Sequence, residues 1–284
     1  MNNLTKNLLK ISAGFSICIL GSFTNSNTQV KANTCATNPN SISSACYITP
    51  STYKIKVYEM GLCTSDPLGG TVLNTETDEV ETDNTIDESS CSPTFKSSNG
   101  SVVDLAGGNT QSLTGTNIRP SAGEYPSAYI KIDNTFGLKG SYQINDITYY
   151  SIANGGKDQD SSNNVEWDED LKDFDNGNSC NTDQAQRIVA GLETFTSGVT
   201  GTMKALLAKD NNGTYTGVTQ ATCDTSDRLY GVFAPTTPVT ITDETQGLEV
   251  TFSITNRGMT IIPDGSGGMF RFSSGPFSPS FVTY

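Results

Sequence analysis

The densest run of side chains able to do chemistry lies between Asp158 and Glu169, in DQDSSNNVEWDE. A twelve-residue calcium loop takes oxygen ligands from positions 1, 3, 5, 9 and 12, turns sharply at 6 and carries an apolar residue at 8. Asp158, Asp160, Ser162, Glu166 and Glu169 stand at the ligand positions, with Asn163 at the turn and Val165 at the apolar one. Asn in place of Gly at the turn departs from the pattern, as does Gly155-Gly156 where an entering helix would run. So acidic a stretch also offers several registers for such a match. Two readings stay open: a calcium site built from these five residues, or a solvated loop. No other cofactor is called for. A second acidic tract, Thr75 to Glu88, reads as a solvated loop, with cation binding as the competing reading.

The chain contains no histidine. That removes Ser-His-Asp and Cys-His nucleophilic machinery, histidine general bases and histidine-ligated metals together. With no C-x-x-C spacing either, the cysteines do not describe a zinc site. Catalysis is left to carboxylates, Lys, Tyr or Ser-Lys pairs, and the nearest reaction class is glycoside hydrolysis by two carboxylates. Among 30 acidic residues no pair is singled out by spacing, and the single tryptophan, Trp167, leaves little for sugar subsites. Gly265-Ser266-Gly267-Gly268 leads into the strand-like MFRF and not into a helix, which a phosphate loop requires. No catalytic residue is assigned. Tyr142, Tyr149 and Tyr150 could stack on sugar rings or pack within a sheet, and cross-strand packing is the commoner use of such rows.

The first residues carry Lys6 and Lys10, then an apolar run from Ile11 to Phe23, then Val30-Lys31-Ala32. A basic start, a short apolar run and small residues at a cut describe a secretory leader, so residues 1–32 are expected to be removed after Ala32, Cys18 with them. The run is too short to span a membrane, which takes about 20 residues, so no span is expected in the mature chain. The leader carries three lysines and no acid, and its removal takes the formal net charge from −13 to −16. A chain so acidic repels nucleic acid and anionic lipid. Six cysteines remain: Cys35, Cys46, Cys63, Cys91, Cys180 and Cys223. An even number in an exported chain reads as three disulfides, and sequential pairing closes the shortest loops: 35 with 46, 63 with 91, 180 with 223.

The elements that must position these groups are strands. Leu248, Val250, Phe252 and Ile254 alternate with Glu249, Thr251, Ser253 and Thr255, one apolar face against one wet face. Asn256-Arg257-Gly258 is turn chemistry, and Met259 to Ile262 is expected to return as the hairpin partner. Tyr53 to Met60 has bulk on both faces and reads as an interior strand, with Tyr53, Ile55, Val57 and Glu59 on one side. Further hairpins are expected at Leu138–Asn145 with Ile147–Ile152, and at Met203–Asp210 with Thr214–Val218 across Asn211-Asn212-Gly213. Residues Asn181 to Phe195 hold the one helical candidate, weakened by Gly191, with a strand as the alternative. The entry Pro120-x-x-Gly123-x-Tyr125 into a strand is similar to entries in prealbumin-like and immunoglobulin-like modules.

These signals imply an all-β fold: an antiparallel β-sandwich, immunoglobulin-like or prealbumin-like, stapled by disulfides and with at most one short helix. Residues 33–284 form the sandwich, as one domain or as two packed halves meeting near 155–180. The expected function is non-catalytic binding or assembly outside the cytoplasm, extracellular or periplasmic, with partners among other copies of itself, surface proteins or glycans. The alternatives are a calcium-dependent carbohydrate-binding or adhesion module and, behind it, a carboxylate hydrolase.

Overall fold

The computed structural model describes residues 10–12, 34–69, 86–108, 110–172, 189–194, 200–218 and 222–284, with 10–12, 189–194 and Thr200 as backbone. The rest of the expected leader, most of the Thr75–Glu88 tract and Cys180 lie outside the described residues. In chain order the strands are β1 (Lys10–Ser12), β2 (Cys46–Ile48), β3 (Thr52–Cys63), β4 (Cys91–Asp104), β5 (Gln111–Ser112), β6 (Thr116–Asn117), β7 (Gly123–Tyr125) and β8 (Ser127–Asp133). They continue as β9 (Thr135–Lys139), β10 (Ser141–Ile144), β11 (Ile147–Ser151), β12 (Lys157–Asp158), β13 (Trp167–Asp170), β14 (Val189–Thr194) and β15 (Thr200–Asn211). The last are β16 (Thr214–Gly217), β17 (Arg228–Pro235), β18 (Val239–Ile241), β19 (Leu248–Ser253), β20 (Met259–Pro263), β21 (Met269–Ser274) and β22 (Ser278–Thr283). Helix among the described residues amounts to short 3-10 turns, so the fold is all-β and antiparallel, with β1 beside β19 the parallel exception among the strands.

The largest sheet runs β13-β9-β3-β8-β17-β15-β14, with β4, β6 and β16 attached, and draws strands from both sides of residues 155–180. Its inner face carries Tyr53, Ile55 and Ile132 and packs on two smaller sheets, β22-β19-β1-β5 and β2-β20-β21. Aromatic rings bridge the layers. Trp167 meets Phe272 at 6.3 Å between centroids, Phe233 meets Phe281 at 6.5 Å, and Phe277 stands edge-on to both Tyr53 and Phe252. Each such pair adds about 0.5–1.5 kcal/mol to the burial itself. Disulfides Cys35–Cys46 and Cys63–Cys91 form as expected. Cys223 is disulfide-bonded too, while its expected mate, Cys180, is outside the described residues.

Two hairpins follow the sequence signals. Asn145 and Asp146 both adopt positive φ between β10 and β11, as a tight primed turn requires, and Asn212-Gly213 does the same between β15 and β16. Three expectations are corrected. First, β19 does alternate as expected, with Leu248, Val250 and Phe252 buried, but its partners are β22 and β1. Asn256, at φ 56°, turns the chain out of that sheet, and β20 pairs with β2 and β21 instead. Second, β3 changes phase at a bulge beside Tyr58: Val57 lies opposite Ile132 and Glu59 opposite Lys131. The extra residue moves Met60 and Leu62 onto the core face and Glu59 off it. Third, Val189–Thr194 is extended, not helical, and pairs with β15 from Ala205 back to Thr200. Gly191 and two β-branched residues in six suit a strand, and pairing supplies the backbone bonds that an isolated helix would have had to make internally.

Candidate functional site

The acidic loop starts where β12 ends. Asp158 accepts the backbone N–H of Asp160 at 2.9 Å on Oδ1 and the Asn163 amide at 2.9 Å on Oδ2. Asp160 caps the 3-10 turn Ser161–Asn163 by accepting the N–H of Ser162 at 2.8 Å. These backbone N–H donors hold both carboxyls below the usual aspartate range. The loop thus stiffens itself by side-chain turns. Glu166 reaches across to β3, where the Lys54 ammonium lies 2.7 Å away. Glu169 points inward, because β13 buries alternate residues: Trp167 and Glu169 lie inside while Asp168 and Asp170 face water. It accepts from the Ser273 hydroxyl at 2.7 Å and from the Ser274 N–H of β21.

Of the five candidate ligands the structure brings Asp158, Asp160 and Ser162 into one turn, and takes Glu166 to Lys54 and Glu169 to the serines of β21. Among the described residues no group of three or more acidic or cysteine side chains could hold a metal ion. Tyr142 is buried, its hydroxyl donating to Ala36 O at 2.8 Å, and Tyr149 packs against the core with Lys157 over its ring. Those two rings of the tyrosine row are therefore packing. A shallow cavity of about 50 Å3 is lined by Thr94, Ile118, Arg119, Ile241 and Leu248.

The most charged buried site is on the outer face of the large sheet, and its groups are placed there by the β3 bulge. Lys131 of β8 is only 2 % exposed. Its ammonium sits 3.2 Å from Glu59 Oε1 and 2.7 Å from Glu88 Oε1, and 4.2 Å above the Tyr215 ring. Tyr129 donates to Glu59 Oε1 at 2.5 Å, and its ring stacks on Tyr230 at 5.8 Å. Gly61 makes that stack possible: a Cβ there would come within 2.3 Å of the Tyr129 ring. Burial works against the charged form of Glu59, but the Tyr129 hydroxyl and the Lys131 and Lys96 ammonium groups outweigh it and hold the carboxyl below its usual range. That is the wrong direction for a general acid. Burial, aided by the Glu88 carboxylate, pushes Tyr230 far upward, and burial, aided by Asp210, pushes Tyr215 up to about 12.

With both carboxylates beside one buried ammonium, the arrangement fastens the Glu88–Cys91 segment to the sheet. Sequence reasoning passed over it. The available signal was Lys131 within AYIKID, a lysine flanked by isoleucines in a strand with bulk on both faces.

Comparison with protein-family models, with curated proteins and with solved structures finds no match to this chain.

The remaining feature is an edge. The sheet β22-β19-β1-β5 ends in β22, whose last turn of chain leaves Val282 50 % and Tyr284 52 % exposed. Residues 278–284, SPSFVTY, carry no charged side chain in a strongly acidic protein. Ser278, Pro279 and Ser280 are buried, so main-chain strand addition at this edge would be confined to its Phe281–Thr283 end.

Proposed function

We propose that this is a secreted or cell-surface β-sandwich protein, non-catalytic, that works by binding or assembly. The observation that carries the reading is the uncharged terminal strand β22, ending its sheet with Val282 and Tyr284 exposed. The Cys35–Cys46 and Cys63–Cys91 bridges and the leader-like residues 1–32 support a location outside the reducing cytoplasm. Among the described residues no helix is long and apolar enough to cross a membrane. Assembly predicts a sedimentation coefficient that grows with concentration, and Val282→Glu is expected to abolish that growth without lowering the melting temperature. A wild type that stays monomeric up to about millimolar concentration would refute assembly, the weakest affinity worth testing being near −4 kcal/mol.

The calcium-dependent adhesion reading rests on Asp158 and Asp160, the two carboxylate candidates held neither by Lys54 nor by the serines of β21. It predicts about 2.7 kcal/mol of added stability with calcium at 100 times its dissociation constant, removed by Asp158→Ala with Asp160→Ala. An unchanged melting temperature in calcium would discard it.

A further inference from the structure

Lys131 stands on the outer face of the large sheet with almost none of its surface in water, and its ammonium meets one carboxyl group end-on. Nζ lies 2.7 Å from Glu88 Oε1 and 2.9 Å from Oε2, close to the bisector of the group, so the carboxyl carbon is the next atom in its path. Oε1 is buried and, near as it is, has no aligned hydrogen bond. Glu59 flanks the same ammonium at 3.2 Å, with the Tyr129 hydroxyl also on its Oε1 and Lys96 3.1 Å from its Oε2. The Tyr215 ring closes another side at 4.2 Å. The Tyr230 hydroxyl is buried with no hydrogen-bond partner, and Glu88 is the charged group that acts on it most strongly. An amine, a carboxyl carbon, a second carboxylate and a spare hydroxyl donor are thus gathered where water is scarce.

We propose that Lys131 and Glu88 join in an intramolecular isopeptide bond, with Glu59 carrying the proton and Tyr230 donating to the oxygen that becomes negative. The ammonium gives one proton to the Glu88 carboxylate, a transfer that two charges held out of water favour, and leaves a neutral amine beside a neutral acid. The Nζ lone pair attacks Cδ, the N–C bond forms, and the C=O electron pair moves to oxygen, where the Tyr230 hydroxyl meets it. Glu59 takes the second proton from nitrogen and passes it to the departing hydroxyl; one C–O bond breaks and one water leaves. No oxidant, reductant or other reactant enters, and Glu59 ends as it began. Glu88, 32 % exposed, gives that water a way out. Glu88 is the acceptor because Glu59 is held on both oxygens. Since β3 runs between β4 and β8, the bond clamps the entry of β4 onto β8 across β3, next to the Cys63–Cys91 bridge. It forms within one chain, independently of assembly.

The test uses the full-length folded chain, its disulfides confirmed, then reduced in urea and weighed intact. The wild type is expected to be lighter by one water than the sequence of the chain recovered. Trypsin is expected to release one branched peptide, 57–96 joined through Glu88 to 97–139 at an uncleaved Lys131. Lys131→Arg keeps the charge without a nucleophilic amine, and is expected to show the full mass and separate peptides. Glu59→Gln, followed from cell-free synthesis, is expected to lose the water about 100-fold more slowly. Folded wild type at full mass with no branched peptide overturns the proposal. Water lost without a branch marks a succinimide at an Asn-Gly or Asp-Gly turn and overturns it equally. A branch that ends on Glu59 overturns Glu88 as the acceptor, and an unchanged rate in Glu59→Gln overturns the proton carrier.

Discussion

At the scale of single residues, the sandwich rests on side chains such as Phe252, 1 % exposed and edge-on to Phe277 at 5.3 Å. Phe252→Ala is expected to cost about 3–5 kcal/mol in urea unfolding, against well under about 1 kcal/mol for Thr251→Ala on the other face of β19. Lys131→Ala would strand Glu59 and Glu88 at the sheet and is expected to destabilise by about 3–5 kcal/mol, more than loss of an exposed pair such as Lys54–Glu166. The Glu59 carboxyl is held below the ordinary glutamate value of about 4.3. A depressed folded value means that its contribution is present above pH 4.3 and lost as pH falls through the folded value. The urea midpoint should therefore drop below about pH 4, and Glu59→Gln should flatten that part of the profile. The tyrosines give the opposite limb. Tyr215 is pushed up to about 12 and Tyr129 and Tyr230 further, so the stability they contribute is intact below pH 10 and lost as pH rises past those values. Absorbance at tyrosinate wavelengths should rise first for exposed rings near pH 10 and again, cooperatively with unfolding, above about pH 12.

At the scale of elements, β3 decides most. It pairs with β4, β8 and β9, and its bulge beside Tyr58 divides the strand into a half that feeds the core through Tyr53, Ile55 and Val57 and a half that aims Glu59 and Gly61 at the outer face. Gly61→Ala is expected to break the Tyr129–Tyr230 stack, since the added methyl has nowhere to go but into the ring or Ser92 O. The Cys63–Cys91 bridge ties the end of β3 to the start of β4 across 28 residues, against 11 for Cys35–Cys46. Chain entropy alone makes the longer loop worth about 3.6 kcal/mol and the shorter about 2.8. Replacing each pair by alanines and comparing melts should reproduce that order, and a larger loss at Cys35–Cys46 would contradict it.

At the scale of the whole molecule, charge sets the conditions under which copies can meet. A net charge of −13 repels other copies across a Debye length of about 30 Å at 0.01 M salt and about 8 Å at 0.15 M. Self-association through an uncharged edge should therefore strengthen as salt is raised, in contrast to association between opposite charges, which salt weakens. Light scattering across that range distinguishes the two, and scattering that falls with salt would point away from edge-to-edge assembly of identical chains.

The sequence by itself determined what depends on neighbours along the chain. Period-two alternation placed β19 and β3, Asn-rich turns placed the β10–β11 and β15–β16 hairpins, and cysteine spacing selected the Cys35–Cys46 and Cys63–Cys91 pairs, because each of these signals acts over a few residues or the shortest loop. The absence of histidine is equally a property of composition. Tertiary structure decided which strands pair. The turn at Asn256 suits a hairpin, yet β19 and β20 part into different sheets, because burying Phe252 against Phe277 and Ile261 beside Phe272 satisfies both apolar faces at once. It also decided the destinations of the acidic residues: Glu166 and Glu169 sit in register for a loop ligand set, but Glu166, just before β13, is held by Lys54, while the alternation of β13 turns Glu169 inward to the serines of β21. Lys131 and Glu59 are far apart in sequence and became a buried pair only because one extra residue in β3 turned the second toward the first.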